Sequence, residues 1–161
     1  MHILYFHQYF TTPSTAGGTR SYEMPQQLIA RGHEVTMVCA RHEKDGLDLP
    51  GSPEDPVRKG DIDGISVIQF NLEYSNYMSL PQRAWIFLRF ALRSVGLAMS
   101  MDYDLVFATT TPLTASIPGI FARCLRGKPF VFEVRDLWPE LPRAMGVVTN
   151  PLVLAGMSAL E

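Results

Sequence analysis

What most constrains this chain is the alternation of short, unbroken apolar runs with longer segments of helical periodicity. Residues 3–6 (Ile3-Leu4-Tyr5-Phe6) form such a run, as a strand buried on both faces requires. Residues 19–31 place Tyr22, Leu28 and Ile29 on one helical side, and Gly32 supplies a stop. Residues 34–39 read as the second strand, 105–108 as a later buried one and 129–134 as the last. Asp63-Gly64 is the turn pair of a two-residue hairpin joining residues 57–62 to 65–70. Strands alternating with helices imply an α/β domain with a parallel sheet, right-handed crossovers and helices on both faces.

The strongest helical segment spans residues 81–101, where Gln82, Arg89, Arg93, Gly96 and Ser100 make a narrow polar stripe. Thr111-Pro112 is expected to cap and open a further helix towards Arg126, bent at Pro118-Gly119, and Pro25 is expected to kink the first helix or delay its start. Residues 41–59, rich in Pro, Gly and charge, read as a surface loop or a substrate-facing flap. A length of 161 residues suits one compact domain, and 47% hydrophobic with 19% charged residues excludes a disordered tail.

A formal net charge of -2 gives no reason to expect nucleic-acid binding. Cys39 and Cys124, far apart in apolar segments, read as reduced core thiols of a cytoplasmic protein. No metal-ligand spacing involves the histidines, so no metal and no organic cofactor are expected. The chain opens without a basic segment or cleavage site, and Arg89 and Arg93 interrupt the long apolar stretch, so neither a secretory signal nor a membrane span is expected.

In open α/β sheets ligands bind outside the carboxyl ends of the strands. Three polar groups fall there. Gly17-Gly18-Thr19-Arg20 stands between the first strand and first helix, where unpaired helix amides and a missing Cβ suit a phosphate or sugar; otherwise it is a bare glycine turn. Arg20 offers a charge-assisted contact. Arg135-Asp136 ends the last strand; Asp136 can bind acceptor hydroxyls or orient a proton, and Arg135 can neutralise phosphate, or Asp136 merely caps the next turn. Thr110 and Thr111 supply hydroxyls at a third strand end, although capping also explains Thr111. Glu133 reads as structural, needing a partner if buried. The pattern is not GxGxxG and no acid is suitably placed at the end of the second strand, which disfavours a dinucleotide cofactor.

With these residues in place, the chain resembles the N-terminal domain of the retaining glycosyltransferases with the GT-B fold, the group called family 4 or group 1. The resemblance rests on His7-Gln8-Tyr9-Phe10, Gly17-Gly18-Thr19-Arg20, Arg31-Gly32-His33-Glu34-Val35, Asp63-Gly64-Ile65 and Val134-Arg135-Asp136-Leu137-Trp138-Pro139, and covers essentially the whole chain. The last segment is similar to members that build bacterial surface polysaccharide. The resemblance implies that residues 1–161 form a Rossmann-like, acceptor-binding domain and that the nucleotide-sugar-binding domain is absent, leaving the chain inactive alone. It also implies a nucleotide-sugar donor, a lipid-diphosphate-linked acceptor, donor or acceptor contacts at Gly17 and Gly18, and a departure at Arg135, where many members carry His.

The segment 81–101 admits two readings: a core helix with a solvated basic edge, or a dock for an anionic membrane surface through Arg83, Arg89 and Arg93, extended by Arg123, Arg126 and Lys128. In the second case the protein sits on the cytoplasmic face of the inner membrane. The competing functional class is a stand-alone interaction module without catalysis.

Overall fold

The computed structural model describes residues 1–15, 17–42, 46–75, 77–135, 140–144, 146 and 148–160. The strands are β1 (His2–Phe6), β2 (Glu34–His42), β3 (Val57–Ile62), β4 (Ile65–Tyr74), β5 (Leu105–Thr109) and β6 (Phe130–Glu133). The α-helices are α1 (Arg20–Ile29), α2 (Leu80–Ser100), α3 (Ile117–Arg126), α4 (Glu140–Ala144) and α5 (Pro151–Leu160). The strands form one sheet in the order β3-β4-β2-β1-β5-β6. All neighbours pair in parallel except the edge strand β3, which runs antiparallel to β4 through the expected hairpin. Asp63 and Gly64 both take positive φ (51° and 85°), the geometry a tight hairpin turn demands.

Alternation along the strands sends residues to two cores. Leu4, Phe6, Val38, Ala40, Val106 and Ala108 meet α2 and α3 on one face. Ile3, Tyr5, Met37, Cys39 and Val67 meet α1 on the other. The chain leaves β1 through α1 to reach β2 on one side, and later passes through α2 to β5 on the other. The sheet order therefore reverses at β1 and β5, and the crevice at their carboxyl ends is the topological switch point.

Several local expectations are corrected. α1 starts before Pro25, at Arg20, so the proline does not delay it; Pro25 is buried inside the helix instead. The turn after Thr111 is a short 3-10 segment, Leu113–Ser116, capped by Pro112, and α3 begins only at Ile117. Pro118 thus opens α3 rather than bending it, its missing N–H being superfluous in a first turn. Gly119 has a packing reason: a Cβ there would lie 2.1 Å from the Phe130 ring. The segment after β2 is pinned by Leu47 and Leu49, both buried against the α1-side core; residues 43–45 lie outside the described residues. Cys124 is exposed on α3, whereas Cys39 is buried as expected.

α2 also departs from expectation. Ser79 and Gln82 form a reciprocal capping box, and Ile86, Phe90, Ala91, Ser94 and Ala98 face the core. Trp85, Leu88 and Leu92 project outward rather than onto the sheet. Arg126 and Lys128 do not extend a basic surface patch. Arg126 donates to the carbonyls of Ala98 and Met101, and Lys128 to that of Tyr103, so both close the end of α2. Among the described residues no helix is long and apolar enough to cross a membrane.

Candidate functional site

The polar residues at the switch point come from β1, the first turn of α1, and the ends of β5 and β6. β1, β5 and β6 are neighbours, and the side chains of Tyr5, Thr109 and Glu133 fall on the α1 face by alternation. Glu133 joins the elements. Its Oε1 accepts from Arg20 at 2.9 Å and its Oε2 from the Thr109 hydroxyl at 2.6 Å. Arg20, expected as a free phosphate contact, is therefore engaged, and the helix following the glycine loop is tied to the opposite end of the sheet. The Arg135 N–H donates to Thr110 Oγ1 at 2.8 Å, so the Thr110 hydroxyl holds the backbone of Arg135. The Arg135 side chain itself is exposed.

His7 follows β1 directly and is 4% exposed. Its Nδ1 lies 2.6 Å from the Ser21 hydroxyl in the first turn of α1. Burial, and next the Arg135 cation, push its pKa down to about 3, so the ring is neutral. Tyr5 sits deeper; burial, then the Glu133 carboxylate, raise its phenol to about 12. The site is thus built from neutral groups, the Arg20–Glu133 pair and an exposed guanidinium at Arg135 that has no ion pair among the described residues.

Gly17 and Gly18 immediately precede Thr19, the N-cap of α1. Neither takes a positive φ, so chain conformation does not demand glycine at either. A Cβ on Gly17 would press on Thr11, but one on Gly18 would meet nothing within 4 Å. Thr19 caps α1 without a side-chain hydrogen bond, leaving the helix amides to other partners. Thr111 is half-buried beyond β5. Asp136, together with Leu137, Trp138 and Pro139, lies outside the described residues.

Sequence reading missed Ser21 and the use of His7. The available signals were His7 as the first polar residue after the β1 run and Ser21 in the opening turn of α1. It also missed a hollow of about 420 Å³ on the far side of α1, between Thr12, Ser14, Tyr22, Asp48, Asp61 and Asp63. Its carboxylates repel phosphate and its hydroxyls suit a polyol. Among the described residues no group of His, Cys, Asp and Glu is placed to hold a metal ion.

Comparison with solved structures finds chains that align with most of this one. The structure described as "Trehalose-6-phosphate from E. coli bound with UDP-2-fluoro glucose" aligns over 98% of this chain and 38% of its own, with TM-score 0.56 and 13% identity. A glycotransferase of kitacinnamycin aligns over 91% and 33% respectively, with TM-score 0.48 and 17% identity. The chain thus spans well under half the length of either protein. The fold is that of a GT-B glycosyltransferase domain, a mixed six-stranded sheet with helices around it. No curated protein matches the chain. The model of the glycosyl transferase 4-like domain matches residues 15–157, nearly the whole sequence, and the chain belongs to that family.

Proposed function

We propose that this chain is the acceptor-side wall of a retaining glycosyltransferase that moves a sugar from a nucleoside diphosphate to a lipid-diphosphate-linked acceptor in surface polysaccharide synthesis. The donor-binding wall is a second domain beyond residues 1–161. The observation that carries the reading is the open side of Gly18 before an uncapped helix start, with the Arg135 cation at the same switch point. Uncommitted amide donors and a cation are what a diphosphate needs. The similar E. coli structure bound with UDP-2-fluoro glucose supports the donor class.

In this reading Gly17, Gly18 and Thr19 face the donor diphosphate or the acceptor, Arg20 and Glu133 hold that loop in place, and Arg135 offsets phosphate charge. Asp136 takes the catalytic place beside the acceptor hydroxyl, and Thr110 and Thr111 line the cleft. Rate enhancement comes from holding donor and acceptor face to face, by positioning and electrostatics, with no metal or organic cofactor. One wall alone does not catalyse. The test pairs this chain with the complete open reading frame, each given a panel of nucleotide-sugars and a lipid-diphosphate-sugar acceptor. Transfer by the longer protein only is expected. Transfer by neither would return weight to an interaction module, and transfer by this chain alone would refute the two-wall reading.

The acceptor's lipid puts the working surface at a cytoplasmic membrane face. Trp85, Leu88 and Leu92 on α2 are 58%, 41% and 60% exposed, and Phe121 and Leu125 on the adjacent α3 are 43% and 66% exposed. Arg89 and Arg123 are exposed among them, and neither helix contains an acid. Arg83 and Arg93 contribute less, since they donate to the carbonyls of Met78 and Pro56 and lie over the Tyr74 and Phe70 rings. An apolar stripe interleaved with arginine suits an anionic lipid surface. Flotation with anionic liposomes, lost in a Trp85→Ser, Leu92→Ser variant, is the expected result; no flotation of the parent protein would reject docking.

A further inference from the structure

Any helix start offers amides, so the residue that marks this one is His7. Its ring is almost wholly buried, yet only Nδ1 has a partner; among the described residues Nε2 has none. The ring keeps a small exposed edge, 4% of the residue, at the carboxyl end of β1. A buried imidazole held on one side and left open on the other has the form of a binding group.

Ser21 decides what the open nitrogen presents. Ser21 is 1% exposed, and besides the His7 ring its hydroxyl meets the Tyr5 phenol, which is otherwise unpaired among the described residues. If Ser21 accepted a proton from Nδ1 and donated to the phenol, the buried Tyr5 O–H would be left without an acceptor, which costs more than leaving a lone pair unused. The hydroxyl therefore donates to Nδ1. A neutral ring whose Nδ1 accepts carries its proton on Nε2.

We infer that His7, oriented by Ser21, is a binding residue that donates its Nε2–H to an anionic oxygen of a diphosphate lying between the start of α1 and Arg135. The inference rests on the reading that the switch point receives a phosphorylated ligand, and adds the residue and atom that grip it. Neutrality suits the role. A second full cation beside Arg135 would bind free phosphate without discrimination, whereas a fixed N–H demands an oxygen at one position. Ser21 is the positioning residue: it touches the ring and not the ligand.

The test is nuclear magnetic resonance on this chain with isotope-labelled histidine, using inorganic pyrophosphate as the probe. Long-range proton–nitrogen spectra of the free protein are expected to show the His7 proton on Nε2. Pyrophosphate, binding with a dissociation constant on the order of 1 mM, is expected to move the His7 Nε2 and Gly18 amide resonances along one saturation curve. Ser21→Ala is expected to mix the two tautomers. His7→Phe is expected to weaken pyrophosphate about tenfold, while His7→Gln, which keeps an N–H donor, loses far less.

A proton on Nδ1 in the parent protein, or pyrophosphate that fails to move Nε2, would overturn the inference whether or not the variants fold. Sugar transfer by the complete enzyme separates the two readings. Intact transfer with a silent His7 sinks the histidine role alone. A responsive His7 without transfer of any sugar leaves the anion site and removes the glycosyl chemistry.

Discussion

Removing the Glu133 carboxylate tests whether the glycine-loop helix is tied to the far strands as the geometry implies. Glu133 makes two unequal contacts. Arg20 is 59% exposed, so its 2.9 Å pair with Glu133 is screened by water and contributes about 0.5 kcal/mol. The 2.6 Å bond from the fully buried Thr109 hydroxyl is charge-assisted and contributes about 1.5–3 kcal/mol. Glu133→Ala loses both and should cost about 2–3 kcal/mol. Glu133→Gln keeps an oxygen for Thr109 and should cost about 1 kcal/mol. At roughly 2–4 °C per kcal/mol for a chain of this size, thermal unfolding should fall by about 4–12 °C and 2–4 °C respectively. Urea unfolding of Arg20→Met, of each Glu133 variant and of the doubles completes the cycle. An Arg20–Glu133 coupling of about 0.5 kcal/mol, shrinking in 1 M salt, is expected. If Arg20→Met proves as costly as Glu133→Ala, or if Gln is no better than Ala, the assignment of stability to the Thr109 bond is refuted.

Three further perturbations have signs set by the structure. Gly119→Ala places a methyl 2.1 Å from the Phe130 ring and should destabilise by about 1–2 kcal/mol after the helix-propensity gain, whereas Gly96→Ala, with nothing within 4 Å, should stabilise by about 0.5–1 kcal/mol; urea midpoints moving the same way would contradict this. His7 is lowered from 6.5 to about 3 by burial and by Arg135, with Ser21 on its ring and Tyr5, Thr109 and Glu133 on the surrounding strands. The unfolded chain therefore binds the extra proton between those values, and stability should fall as pH drops through that window, by at most about 1.4 kcal/mol per pH unit. His7→Gln should flatten that slope in urea titrations from neutral pH downward. Leu47→Ala and Leu49→Ala should each cost about 2–4 kcal/mol despite lying in a connecting segment; losses below about 0.5 kcal/mol would show that the segment is not pinned.

Sequence alone determined the class of the fold, because strand burial is written in local pattern. Ile3 to Phe6 and Leu105 to Ala108 are apolar without a break, and Asp63-Gly64 tolerates the positive φ of a hairpin turn, so strands, turn and sheet order class followed from neighbours in the chain. The glycine loop and the strand ends were legible for the same reason: their position relative to the apolar runs is a one-dimensional fact. What tertiary structure decided is which side chains meet. Ser21 reaches His7 across 14 positions, and Glu133 reaches Arg20 across 113, separations no periodicity encodes. The outward face of α2 was hidden in the same way. Trp85, Leu88 and Leu92 differ from Ile86 and Phe90 in orientation and not in hydrophobicity, and orientation is set by the sheet and α3 packed against the helix. Pattern measures how much apolar surface a segment must hide; only the packed neighbours determine where it is hidden and which polar groups are left facing the crevice.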